Sequence, residues 1–291
     1  MPGSLRDLLT KAEDETGSPP AQGSLVARLH RDLLGWYAAS RRDLPWRRTR
    51  DPWAIWLSEI MLQQTRVDTV MPYFERFLAR FPTPLALAEA PEDQVLAAWS
   101  GLGYYRRARM LHAGARVVAD RAEMPRDREG LLELPGVGRY TAGAIASIAF
   151  EEPVGLVDGN VVRVFARIFA LEDDMRRAGM KRAEALAEEL VPAKKPGDWN
   201  QALMELGATI CTPRAPACER CPVASSCRAR AEGRVDELPV MGEKAKPKPQ
   251  RVQALVARTK DGRVLLARRQ SSGLFAGLWE PPSIDGDESA G

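Results

Sequence analysis

Apolar residues recur every three to four positions along most of the chain, the spacing of one helix face after another. From Ser24 the stripe is Leu25, Leu29, Leu33 and Trp36, and Leu44-Pro45-Trp46-Arg47 breaks it. Asp51-Pro52 supplies a cap and a first-turn proline for a helix through Thr65. The same periodicity predicts helices over 73–81, from Pro91 (with Val95, Leu96 and Trp99) and from Arg106, while Pro82 and Pro84 read as breaks. Leu131, Leu132 and Leu134 lead into a hairpin, and helices follow over 141–150, 162–171, 174–190 and 199–210. Convincing two-residue alternation does not occur before Cys227, so this part reads as all-helical. After Arg251 the period changes. Val252, Ala254 and Val256 alternate, Lys260-Asp261-Gly262 suits a hairpin turn, and 264–267 continue as a strand. Residues 1–23 are too polar and proline-rich to pack and read as a disordered extension. Residues 229–250 read as a linker.

Several positions break this pattern. Glu59 lies in an apolar stripe, with Ile55, Trp56 and Leu62 three or four residues away. Burial there raises a carboxyl pKa, which suits either a general acid or a buried structural ion pair. In Leu134-Pro135-Gly136-Val137-Gly138-Arg139-Tyr140-Thr141-Ala142, two glycines precede a small-residue helix. Such a hairpin is an ordinary helix–helix turn, or a place where free amides meet a phosphate. Gly101-Leu102-Gly103-Tyr104-Tyr105 puts two aromatics beside arginines, which suits base stacking or a helix start packed into the core. Asp158 fits a helix cap or a turn as well as a site. Cys211, Cys218, Cys221 and Cys227, spaced C-x6-C-x2-C-x5-C, suit thiolates around a metal cluster better than paired zinc knuckles.

Charge and composition narrow the choices. A net charge of +3 excludes a polybasic binder. Arginines cluster at Arg47, Arg48 and Arg50 and at Arg106, Arg107 and Arg109, compatible with a phosphate-facing surface or a solvated helix face. Arg47 is taken as a DNA contact. The two histidines, His30 and His112, leave little room for histidine catalysis. Neither an 18-residue apolar run nor a signal peptide is present, so a cytoplasmic protein is expected, associated with the nucleoid in a bacterium.

Together, Leu57-Ser58-Glu59-Ile60-Met61-Leu62-Gln63-Gln64-Thr65, the Gly101–Tyr105 turn, the hairpin, Val157-Asp158-Gly159-Asn160-Val161 and the cysteine loop resemble the helix–hairpin–helix DNA glycosylases. The Glu59 helix and Tyr140 favour the adenine-specific, MutY-type branch over the endonuclease III-like glycosylase/lyases, which carry a Schiff-base lysine at the position of Tyr140. A further alternative is a non-catalytic iron–sulfur DNA-binding module. The resemblance implies a mainly α, two-lobed fold with a [4Fe–4S] cluster on the four cysteines. Residues 24–45 with 148–228 would form the cluster lobe and 46–147 a six-helix lobe. Residues 251–291 would form a partial Nudix-like β segment without a Nudix hydrolase box.

The resemblance also assigns roles. Glu59 would protonate adenine, and Asp158 would stabilise the sugar cation through a transient covalent bond. Tyr140 and Asn160 would orient both. Gln64 would fill the emptied stack, Tyr104 would contact the opposite base, and the amides of Gly136 and Gly138 would hold a phosphate. The implied partner is double-stranded DNA carrying adenine opposite 8-oxoguanine or guanine, bound by a monomer without membrane attachment.

Overall fold

The computed structural model describes residues 24–243, 251–270 and 277–285. The expected extension 1–23 and the linker portion 244–250 lie outside them. The chain divides into two units, Met1–Gly242 and Glu243–Gly291.

Helix α1 (Leu25–Ser40) starts on Ser24, whose hydroxyl accepts from the Ala27 amide. It buries Leu25, Leu29, Leu33 and Tyr37, a strict four-residue row, so Trp36 is only partly covered. Helix α2 (Pro52–Leu62) follows a 3₁₀ turn at Pro45–Arg47. Its Asp51 cap accepts from the Trp53 amide at 3.1 Å. Every residue from Trp53 to Met61 is buried, so α2 is wrapped on all sides.

Helices α3 (Val67–Arg80), α4 (Pro84–Ala88), α5 (Glu92–Trp99) and α6 (Arg106–Arg121) come next, then α7 (Arg128–Leu132) and α8 (Arg139–Phe150). Seven helices therefore begin between residues 46 and 147, against the six expected. The extra one is α4. Pro84 does not break the chain there but occupies the first helical turn, which needs no N–H, behind a Thr83 cap bonded to the Ala86 amide at 3.1 Å. Seven of the twelve residues of helix α8 are small, and both α2 and α11 pack against it.

Helices α9 (Gly159–Ile168), α10 (Ala178–Leu190), α11 (Pro196–Thr209) and the short α12 (Arg228–Ala231) complete the unit. One continuous core runs from Leu25 to Val223. The all-helical expectation for this part holds. The linker expectation does not hold for 229–242. Ala229 and Leu238 are buried, Arg167 donates to the carbonyls of Val235 and Leu238, both at 3.0 Å, and Asp174 accepts from the Gly242 amide. Apolar and hydrogen-bonding positions hidden in a charged stretch keep that segment on the helices.

The second unit contains β1 (Val252–Ala254), β2 (Ala267–Arg268), β3 (Trp279–Glu280) and β4 (Ser283–Asp285). The expected turn is present, with Arg258 opposite Val264 and Gly262 at φ 90°. Across it the Leu265 amide donates to the Ala257 carbonyl at 2.9 Å, while the four strands take other partners. β1 pairs antiparallel with β4, and β2 with β3. Among the described residues, no helix is long and apolar enough to cross a membrane.

Candidate active site

Glu59 comes from the buried face of α2 and is 6% exposed. Burial pushes its carboxyl from 4.5 up to about 7. The Tyr140 hydroxyl beside it opposes that rise, the Asp158 charge adds to it, and Arg47 pulls the other way. Tyr140 stands on the first turn of α8. Burial and the two nearby carboxylates hold its phenol well above its ordinary range. Its hydroxyl lies beside Glu59 and donates to Met204 Sδ at 3.1 Å. With one proton, it donates to only one of them at a time.

Asp158 is the N-cap of α9. Its Oδ1 accepts from the amides of Asn160 and Val161 at 2.9 and 2.8 Å, and its Oδ2 accepts from Asn160 Nδ2 at 2.8 Å. The capping role and a place in the site coincide in this one residue. Glu59, Asp158, Tyr140 and Asn160 all line a single cavity of about 440 Å³. That volume falls within the range of small-molecule sites. Asn160 is held in turn by Arg163, which also donates to the carbonyls of Gly207 and Cys211, both at 2.7 Å. A side chain on Gly207 would press on Asn160 Cβ at 2.5 Å, so glycine is what lets α11 approach. A short bonded path thus runs from Asp158 to the cysteine loop.

One part of the cavity lining was not foreseen. Glu205, on α11, is 1% exposed and accepts from Arg42 at 2.8 and 2.7 Å and from Arg47 at 2.8 Å. Burial alone would raise its pKa, but the hydrogen-bonded guanidiniums prevail and hold it at about 2. Arg47, taken as a DNA contact, lines the cavity beside Glu205 with its side chain 9% exposed. It can meet a group inside the cavity.

The remaining arginines of the two clusters are mostly engaged within the protein. Arg48 pairs with Asp43, Arg50 with Glu151, and Arg109 with Glu92. Only Arg106 of the second cluster is exposed, and Arg107 turns inward. Gln64 is exposed just past α2 at φ 57°, beside Gln63, which lines the cavity. The paired tyrosines divide between the two expectations. Tyr104 is 61% exposed at φ 48°, whereas Tyr105 packs against the core. In the hairpin, Gly136 takes φ 78° and would drive a side chain into Met110. Helix α8 starts on Gly138 without a side-chain cap, leaving first-turn amides for an outside acceptor.

The cysteines lie on the loop after α11. Cys218 opens one 3₁₀ turn, Cys221 ends it, and Cys227 caps α12. All four are free and partly exposed. Among the described residues, no three His, Cys, Asp or Glu side chains are placed to share a single metal ion. The thiols nevertheless feel one another. Burial first, and then the neighbouring thiols, push Cys221 to about 12 and Cys227 to about 11. Buried Arg167 donates to Cys211 Sγ at 3.4 Å. Four soft donors on one loop fit a multi-iron cluster, whose positive charge offsets their mutual repulsion.

Comparison with known proteins agrees with this geometry. Residues 57–193 match the HhH-GPD superfamily base excision DNA repair protein model, and residues 211–227 match the iron–sulfur binding domain of endonuclease III. The cysteine loop is thus the site of a [4Fe–4S] cluster. An adenine DNA glycosylase of Rattus norvegicus is 42% identical over 313 residues, covering 89% of this chain and 61% of that protein. The chain therefore spans less than two thirds of that relative's length. An adenine DNA glycosylase of Schizosaccharomyces pombe is 36% identical, covering 91% of this chain and 71% of that protein. A thermostable thymine-DNA glycosylase superposes with a TM-score of 0.66 at 33% identity, over 72% of this chain and 97% of that one. With its helical fold, two-carboxylate cavity and cysteine loop, the chain belongs to the adenine DNA glycosylase family of the HhH-GPD superfamily.

Proposed function

We propose that this protein is a monofunctional DNA glycosylase that removes adenine mispaired with 8-oxoguanine or guanine. It acts as a monomer on double-stranded DNA in the cytoplasm. The observation that carries this reading is that Glu59 and Asp158 open into one cavity, beside Tyr140 and Asn160. Adenine leaves the duplex, at roughly a few kcal/mol, to enter that cavity. Glu59, protonated near neutral pH, gives its proton to the ring and makes the base a leaving group. The glycosidic bond breaks with positive charge at the sugar, and the carboxylate of Asp158 stabilises that charge. Asn160 and the α9 amides hold Asp158 in place. Glu59, now deprotonated, takes a proton from water as it attacks the sugar. Tyr140 has no amine to form a Schiff base, so the strand stays intact. Residues 24–45 with 148–228, and residues 46–147, are assigned as the two lobes, both of which contribute to the cavity lining.

The test is single-turnover base release from duplexes carrying adenine opposite 8-oxoguanine or guanine, or thymine glycol opposite adenine. Adenine is expected to be released from the first two without strand cleavage. Release of thymine glycol, or a strong borohydride-trapped adduct, would overturn the reading in favour of a glycosylase/lyase.

The [4Fe–4S] cluster, when bound, ties the loop after α11 into one piece. Cys221→Ala is expected to lose iron and sulfide in equal measure and to lower stability by more than about 2 kcal/mol. Metal analysis and thermal melting check this. Equimolar zinc without sulfide in the wild type would contradict it.

A further inference from the structure

Arg107 has no part in the chemistry above, yet it makes more polar contacts than a surface arginine needs. It is the second residue of α6. One terminal nitrogen donates to the carbonyls of Ile60 at 3.0 Å, Met61 at 2.8 Å and Gln63. The other donates to Thr65 Oγ1 at 3.0 Å and to the carbonyls of Leu102 at 3.2 Å and Gly103 at 3.4 Å. Its plane lies over the rings of Trp99 and Tyr104, each centred 5.4 Å away. The last carbonyls of α2 have no partners within the helix, and a guanidinium there satisfies them at the negative end of the helix.

The two segments it joins are distant in sequence. Each carries one exposed, non-glycine residue in left-handed backbone, Gln64 and Tyr104. Side chains disfavour that conformation, so it persists only where the surroundings impose it. Arg107 bonds on both sides of Gln64 and directly before Tyr104. Trp99 Nε1 donates to the same Gly103 carbonyl at 3.1 Å.

We propose that Arg107 is a positioning residue that locks Gln64 and Tyr104 into one rigid two-pronged reader, so that both enter the duplex together when the target base leaves it. This rests on the base-extruding function proposed above. A lysine has the charge but not the planar fork that reaches both turns.

The test is a double-mutant cycle on the full chain. Arg107→Met and Arg107→Lys are made in the native background and in Gln64→Ala/Tyr104→Ala. The readouts are single-turnover adenine release and the fluorescence of a 2-aminopurine placed beside the target adenine. In the native background both Arg107 variants are expected to release adenine at least about tenfold more slowly and to lose the fluorescence rise. In the doubly substituted background the further loss should be under about twofold, because the residues act as one unit. The midpoint of the pH–rate profile should not move. Should Arg107→Met fail to fold, Arg107→Lys carries the comparison. Equal losses in both backgrounds, or no loss in either, overturn the proposal. If the wild type releases no adenine, the functional reading fails. The clamp is then judged on fluorescence alone, and a rise retained in both variants overturns it.

Discussion

Glu59→Gln is expected to slow adenine release by about 10²–10⁴-fold while duplex binding survives, the loss typical of removing a general acid–base group. Glutamine keeps the size and polarity of the side chain inside α2 but has no proton to give. The same change should stabilise the protein at high pH. The folded pKa of Glu59 is raised from 4.5 to about 7. The folded state therefore holds this proton more tightly than the unfolded chain. The resulting stability is fully present below about 4.5 and is lost as the pH climbs through 7, a swing on the order of 3 kcal/mol. At pH 8 the variant should melt above the wild type, and the gap should close toward pH 5. Thermal melts at the two pH values check the sign. A variant that releases adenine at the wild-type rate removes Glu59 from the mechanism.

Asp158→Asn is expected to reduce release by about 10²–10³-fold with a stability change below about 1 kcal/mol. The choice of variant follows from the geometry. Asp158 Oδ1 accepts two α9 amides, and asparagine caps helices about as well as aspartate. The substitution therefore keeps the cap and removes the charge that faces the developing sugar cation. Single-turnover rates and melting curves, read together, separate the two roles. A fall in stability with release unchanged would make capping the whole of Asp158's function.

The helices were largely legible because their apolar periodicity survives in the folded unit, as in the Leu25, Leu29, Leu33 row of α1. Pro84 was misread because a proline both ends and begins helices, and the Thr83 cap decides which. Glu59 stood out as a carboxylate in an apolar stripe. Glu205 carries no such signal, because its neighbours three and four residues away are Gln201, Ala202, Ala208 and Thr209. Arg47 gave no sign of its ion pair, for a different reason. Its sequence neighbours are surface arginines, whereas its partner Glu205 lies 158 residues away, a pairing no local pattern encodes. The pairing of β1 with β4 was hidden for the same reason, since alternation marks a strand but not its partner. The dual nature of Asp158 needed coordinates, because a capping aspartate has the same sequence signature whether or not a cavity opens beside it.

In the proposed mechanism a carboxyl kept protonated by its apolar surroundings detaches the base. The most direct measurement is the single-turnover rate of adenine release from a duplex with adenine opposite 8-oxoguanine, taken from pH 5 to 9. The rate is predicted to fall with loss of one proton at a midpoint near 7, the pKa that burial confers on Glu59. A rate that stays level or rises across that range would contradict the account.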